Sequence, residues 1–319
     1  MKKISRRGLL AAGGCSMALG TQLIPEQSVA QQTNLNIKPL EAPSFRYCLN
    51  TSTIRGQKLG LVQEIEIAAK AGYQAIEPWI QEIEQFVDDG GNLKDVKKRL
   101  DDHGLAVESA IGFANWIVDD DQQRATGLRK MRGDMELLRE IGGKRIAAPP
   151  VGATDNANLN LSKAAERYRA VLELGESTGI VPQAELWGFS KSLSRLGEVM
   201  FMAVESGHSS ACLLPDVYHI YKGGSDFNGL GLINGQAIKV FHMNDYPDIP
   251  RSRISDADRV YPGDGIAPLA SILQTLQRIG CHAVLSLELF NRGYWEQDAL
   301  PVAQTGLQKM RDSVAAAFA

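Results

Sequence analysis

The sequence predicts an α/β protein folded as a closed (β/α)8 TIM barrel, a single domain over residues 44–319. Three observations carry this. Short apolar runs and helically spaced segments alternate eight times, and strict alternation implies a parallel sheet with right-handed crossovers. Eight such units in about 275 residues match the size of a closed barrel. Finally, Glu185, Asp216, His242 and Glu288 close four successive apolar runs. Side chains at strand C-termini meet at one barrel face. The rival open, doubly wound sheet normally carries a Gly-rich turn after its first strand, and residues 50–56, NTSTIRG, contain no GxGxxG.

The elements follow in order. Residues 45–49 read as the first strand, and 61–71 show helical spacing that stops at Gly72. Residues 75–77 are the second strand, followed by a helix over 93–103 that stops at Gly104. The third strand is 105–110, and a long helix over about 122–141 ends at Gly142-Gly143. Residues 145–148 are the fourth strand, with Ser162 expected to cap a helix running to Ser177. Strands ending at the four ligand-type residues complete the set, with helices at about 192–206, 268–279 and 299–314. Only the segment after Asp216 is irregular, broken by Gly223-Gly224 and Gly229.

Ahead of the barrel, residues 1–30 read as a twin-arginine signal peptide. Ser5-Arg6-Arg7-Gly8-Leu9-Leu10 supplies the arginine pair, a Gly/Ala-rich stretch runs to about Leu23, and Ser28-Val29-Ala30 offers a small-residue cleavage site. This predicts the twin-arginine (Tat) translocase as a partner during export, a periplasmic or otherwise exported location, and no membrane contact after cleavage. Cys15 is an alternative lipidation point, but Ala12-Gly13-Gly14 is a poor lipobox. Residues 31–43, polar and Pro-punctuated, form a linker. Cleavage removes four basic residues and one acid, so the formal charge of −3 becomes more negative by three. An acidic chain is a poor match for nucleic acid. Cys48, Cys212 and Cys281 lack CxxC spacing and read as buried thiols.

Three carboxylates and an imidazole converging on one point repel one another unless a divalent metal sits among them. Here the motifs carry a resemblance. Val181-Pro182-Gln183-Ala184-Glu185, Pro215-Asp216-Val217-Tyr218-His219, Phe241-His242-Met243-Asn244-Asp245 and Leu287-Glu288-Leu289-Phe290-Asn291 resemble the xylose isomerase-like TIM barrels. More narrowly, they resemble the sugar phosphate isomerase/epimerase group that includes hydroxypyruvate isomerase. The resemblance implies that Glu185, Asp216, His242 and Glu288 ligate one divalent ion. An oxygen-rich set suits Mn²⁺ or Mg²⁺, with Co²⁺ or Zn²⁺ as alternatives. It also implies that Glu185 and Glu288 exchange a substrate proton through a metal-stabilised enediolate of a keto-sugar. Epimerisation, aldose–ketose isomerisation and β-elimination from a 3-keto-glycoside or inosose all branch from that species.

The resemblance further implies substrate contact by His219 and a supporting role for Asp245, holding the metal-binding histidine or its loop. Many relatives carry Lys at Asn244, so a lysine role does not transfer to this chain. Glu77, Trp187 and Phe113 follow or end strands and are expected to face the substrate. Among Arg251, Arg253 and Arg259, Arg253 is taken for the substrate contact. His103, His208 and His282 all precede strands, at the opposite face, which argues against a nuclease with a histidine-rich trinuclear zinc cluster. A non-catalytic sugar-binding barrel is the remaining rival, and the paired glutamates argue against it. The expected partner is a small carbohydrate, and a homo-oligomer stays open.

Overall fold

The structure, a computed structural model, describes residues 45–319. The signal peptide, its cleavage point, Cys15 and the linker over residues 31–43 lie outside the described residues. Within them the chain is the expected barrel. Strand β1 (Arg46–Asn50) precedes α1 (Leu61–Ala71), and β2 (Ala75–Glu77) precedes α2 (Ile80–Asp88) and α3 (Leu93–Asp102). Then follow β3 (Ala106–Val107), α4 (Asp121–Glu140), β4 (Arg145–Ala148) and α5 (Leu161–Thr178). The second half runs β5 (Val181–Glu185), α6 (Leu196–Glu205), β6 (Leu213–Leu214), α7 (Val217–Gly223) and β7 (Val240–Met243). It closes with α8 (Leu269–Arg278), β8 (Val284–Leu287), α9 (Arg292–Trp295) and α10 (Ala299–Ala317).

All strand pairs are parallel, in the orders β3-β2-β1-β8-β7 and β4-β5-β6. Two seams join these arcs. Bridges Leu213↔Ile238 and Asp216↔His242 link β6 to β7. Across the other seam, Ala110 N–H donates to Arg145 O at 3.1 Å and Ala147 N–H to Ala110 O at 2.8 Å. The ring is thereby closed, and no sheet edge is left open.

Side chains alternate between the helix-facing core and the barrel interior. Phe241 and Met243 pack outward with the helices, whereas Val240 joins Leu214, Ala147 and Ile111 inside. Cys48, Ala75 and Val284 form a separate interior group. All three cysteines among the described residues are free and buried, as their spacing predicts.

Local departures have identifiable causes. Two helices, not one, separate β2 and β3. Ile80 and Ile83 bury one face of α2, and Gly90, in the left-handed region at φ 86°, ends it before Asn92 caps α3. Asn160, rather than Ser162, caps α5, because its side chain accepts from Lys163 N–H while Ser162 falls inside the first turn. The irregular segment after Asp216 contains α7, whose cap is Asp216 itself.

Candidate active site

Parallel register assembles the site. His242 pairs with Ser286 of β8 on one side and bridges Asp216 on the other. Glu77 pairs with Asn50, and Glu185 with Leu214. Most of these residues stand two positions beyond an interior side chain: Asn50 after Cys48, Glu77 after Ala75, Asp216 after Leu214, His242 after Val240. The period of two therefore carries them onto the interior face at the C-terminal mouth.

Nδ1 of His242 faces three carboxylates: Glu288 Oε2 at 3.2 Å, Asp216 Oδ2 at 3.6 Å and Glu185 Oε1 at 3.9 Å. Donor atoms of Glu185, His242 and Glu288 all lie within 4.8 Å of one another. All four residues are buried. Nε2 of His242 lies 3.0 Å from Glu77 Oε2, which also accepts from Asn50 Nδ2 at 3.0 Å and Ser286 Oγ at 2.7 Å. Glu77 thus keeps a proton on Nε2, so ring deprotonation bares the Nδ1 lone pair toward the carboxylates. His242 Nδ1 and Glu185 Oε2 are buried polar atoms with no hydrogen-bond partner. An unpaired imidazole nitrogen ringed by carboxylates is a donor set for a divalent ion. The residues present fit the expected metal, and Glu185, Asp216, His242 and Glu288 would hold it.

The electrostatics reflect this crowding. Burial pushes the Glu185 carboxyl well above the usual range; His242 opposes the rise, and Glu288, Asp216 and Glu77 add to it. Burial alone would lower the His242 imidazole, but the charges of Glu288 and Glu77 hold it well above its ordinary range. Asp216 is held far below the carboxylate range against its burial, chiefly by the Arg259 guanidinium. Protonating some members of an anionic cluster and ionising others spreads its charge, and a divalent cation answers the same need.

Arg253 is exposed in a turn and does not line the cavity above the cluster. Arg259 does, at 1% exposure. The exchange has a backbone cause. Asp245 and Val260 pair antiparallel, with N–H to O distances of 3.0 and 2.9 Å in the two directions. That pairing sets the neighbouring Arg259 at the mouth and leaves Arg253 outside. Glu77 is fully buried and does not line the cavity, because its carboxylate is turned onto His242, Asn50 and Ser286. Asp245 holds the loop and not the histidine. Its carboxylate accepts from the backbone N–H groups of Tyr246, Gly263, Gly265 and Ala267 at 2.8–3.1 Å. A Cβ on Gly265 would lie 2.4 Å from that carboxylate. Asn244 braces Asp216, donating to Oδ2 at 3.0 Å.

The cavity is about 240 Å³. One side is polar: Glu185, Glu288, His219, Arg259 and Asp256. The other is a continuous set of rings. Trp79 and Phe113 have centroids 4.9 Å apart, Phe113 and Trp187 6.2 Å, and Trp187 and Phe189 5.2 Å. Phe290 completes the wall 6.1 Å from Trp79. Trp79, Phe189, Phe290 and Asp256 escaped the sequence reading, although Trp79 and Phe290 stand two positions beyond Glu77 and Glu288, a signal that was available. His219 enters from α7, with Nδ1 accepting from Gly188 N–H at 3.2 Å. Only glycine permits that approach, since a Cβ at 188 would lie 2.4 Å from His219 O. A larger cavity of about 750 Å³, between the N-terminal ends of α4 and α5, contains none of the strand-end residues. Chemistry favours the smaller one. His103 and His208 pair instead with Glu66 and Glu176, and His282 is exposed.

Residues 65–313 match the family described as Xylose isomerase-like TIM barrel. The chain is 26% identical over 269 residues to inosose isomerase of Bacillus velezensis, covering 82% of this chain and 94% of that one. It is 21% identical over 252 residues to 3-dehydroshikimate dehydratase of Pseudomonas aeruginosa, covering 78% of this chain and 39% of the longer relative. Among solved structures, the IOLI protein with a bound zinc atom superposes with a TM-score of 0.80 at 22% identity, covering 86% of this chain and all of that one.

Proposed function

The chain belongs to the xylose isomerase-like TIM barrel family, and from that premise we propose that it is a divalent-metal-dependent sugar isomerase or epimerase acting on a neutral keto-sugar or inosose. The observation that carries this is the unpaired Nδ1 of His242 facing Glu185, Asp216 and Glu288. The inosose isomerase relative and the zinc bound to the IOLI protein support it. What a divalent ion supplies in such a site is stabilisation of the negative charge that develops on oxygen when a neighbouring C–H is lost.

The chain's own groups divide the remaining work. Glu185 lines the cavity and its Oε2 has no hydrogen-bond partner, so it is the carboxylate with an oxygen free to take a proton from carbon. Its raised affinity for protons suits that task. Glu288 is positioned as the partner carboxyl through Oε1, which accepts from Asn50 at 3.2 Å, while Oε2 accepts from Arg259 at 2.7 Å in this structure. His219 faces the cavity to meet a substrate oxygen. The ring wall covers an apolar sugar face and excludes water. Arg259 is the only Lys or Arg among the described residues lining this cavity, and it is engaged by Asp216, Glu288 and Asp256. A phosphate or carboxylate on the substrate would meet no uncommitted cation, so a neutral substrate fits best.

The test is ¹H NMR of the metal-reconstituted protein with inososes and ketoses in D₂O. Deuterium entry beside the carbonyl, lost in Glu185→Gln, supports enolisation. No exchange with metal bound favours a binding protein. A second reading, a dehydratase, is supported by the 3-dehydroshikimate dehydratase relative; an olefinic resonance in the same spectra would select it. We also propose export by the twin-arginine route, on the strength of residues 1–30. A reporter fused to that segment should reach the periplasm, and Arg6→Lys with Arg7→Lys should retain it in the cytoplasm.

A further inference from the structure

We infer that Arg259 is a resident counter-cation of the acid cluster, and that a divalent ion enters only as its guanidinium releases Asp216 and Glu288. The inference rests on the metal reading above. Two oxygens decide it. Asp216 Oδ2 and Glu288 Oε2 are the atoms nearest His242 Nδ1 on their side chains, and both accept from Arg259 Nη1, at 2.9 and 2.7 Å. Asp216 Oδ2 also accepts from Asn244 at 3.0 Å. An oxygen with two donors already on its lone pairs has little left for a cation. A guanidinium in contact with two prospective ligands would also repel a doubly charged ion placed among them.

A separate observation shows that the guanidinium is imperfectly matched where it lies. Nη2 meets His219 Nε2 at 3.1 Å, while Gly188 N–H points to His219 Nδ1 at 3.2 Å. A neutral imidazole has one acceptor nitrogen, and Arg never accepts. One of these two contacts therefore sets donor against donor. Withdrawal of Arg259 removes the mismatch and turns His219 Nε2 toward the cavity as a donor. The side chain has somewhere to go. Asp256 Oδ1 already holds Nη2 at 2.6 Å, and Tyr218 and Phe290 present ring faces 4.4 and 5.0 Å away. Tilting toward Asp256 keeps one ion pair and both ring contacts while giving up Asp216 and Glu288.

Metal binding to the chelator-stripped full chain tests this, with Arg259→Met beside the unaltered protein and Mn²⁺ alone as titrant in calorimetry. The expected result is Mn²⁺ binding about tenfold tighter or more in the variant, because no resident charge must leave. In EDTA the same variant should melt below the unaltered protein, and Mn²⁺ should narrow or reverse that gap. A folded variant that binds Mn²⁺ no tighter overturns the inference and leaves the metal reading standing. Failure of both proteins to bind Mn²⁺, Mg²⁺ or Zn²⁺ overturns the two together. A measurement without substitution guards against a variant that fails to fold. The Arg259 Nη signals, followed by ¹⁵N NMR, should shift when one equivalent of Zn²⁺ binds; unchanged signals at saturation also overturn the inference.

Discussion

Glu77 accepts a hydrogen bond from Nε2 of His242 at 3.0 Å, with both side chains fully shut off from solvent. This contact chooses which imidazole nitrogen faces the carboxylates. A glutamine at 77 can turn its amide N–H toward Nε2, which moves the ring proton to Nδ1 and aims it at the site. Glu77→Gln is therefore expected to weaken divalent-ion binding about 10–100-fold. Calorimetry against pH separates this from a packing defect, because an altered tautomer changes the number of protons released on binding. Unchanged affinity and proton release would remove Glu77 from this role.

The two cavity glutamates should fail differently. Glu185 has a free oxygen, whereas Glu288 accepts from Asn50 on Oε1 and from Arg259 on Oε2 in this structure. Glu185→Gln is expected to slow deuterium incorporation by about 10²–10⁴-fold. Glu288→Gln is expected to abolish turnover while reducing metal affinity less severely, since three other ligand side chains remain. Retention of most activity in either variant would exclude that residue from the proton-transfer pair.

The barrel was legible because its signals are local and repeated. Gly72, Gly104 and Gly142 stop helices, and short apolar runs resume soon after each. Glu185, Asp216, His242 and Glu288 were legible for the same reason: a strand end is a position that sequence can mark. What escaped depends on contacts distant along the chain. Arg259 reaches the site through the pairing of Val260 with Asp245, which no local pattern announces. Glu77 reads like its fellow strand-end acids, yet the turn of its carboxylate onto His242 depends on Asn50 and Ser286 from two other strands. Asp245 was expected to support the histidine or its loop; it is the loop it anchors, at residues 263–267, about 20 positions away in sequence.

Substrate grip should fall to the ring wall without cost to the chemistry. Trp187 lies between Phe113 and Phe189 and touches no member of the acid cluster through a hydrogen bond. Trp187→Ala is expected to raise KM about threefold to tenfold with kcat changed far less. Steady-state kinetics on the substrate found by NMR gives both constants. A fall in kcat with KM unchanged would instead assign Trp187 to transition-state positioning.

Buried Glu64 of α1 meets the half-buried Glu82 of α2 as a carboxyl pair. Glu82 Oε2 accepts from Thr51 Oγ1 at 2.7 Å and from Trp79 N–H at 3.0 Å. Burial, reinforced by the Glu82 charge, raises Glu64 from 4.5 to about 9. Below pH 4.5 the folded and unfolded chains both hold this proton, so Glu64 makes stability no different from one pH to the next. Above pH 4.5 the unfolded chain ionises and the folded one does not. Stability must then fall with each unit of pH until the folded group also ionises near pH 9. Glu64→Gln keeps the neutral, hydrogen-bonding form at every pH and removes the penalty. The variant should lie within about 1 kcal/mol of the unaltered protein at pH 5 and gain about 1–3 kcal/mol more by pH 8. Thermal melts at both pH values decide the matter. An equal gain at pH 5 and pH 8 would show that packing, and not the retained proton, governs this pair.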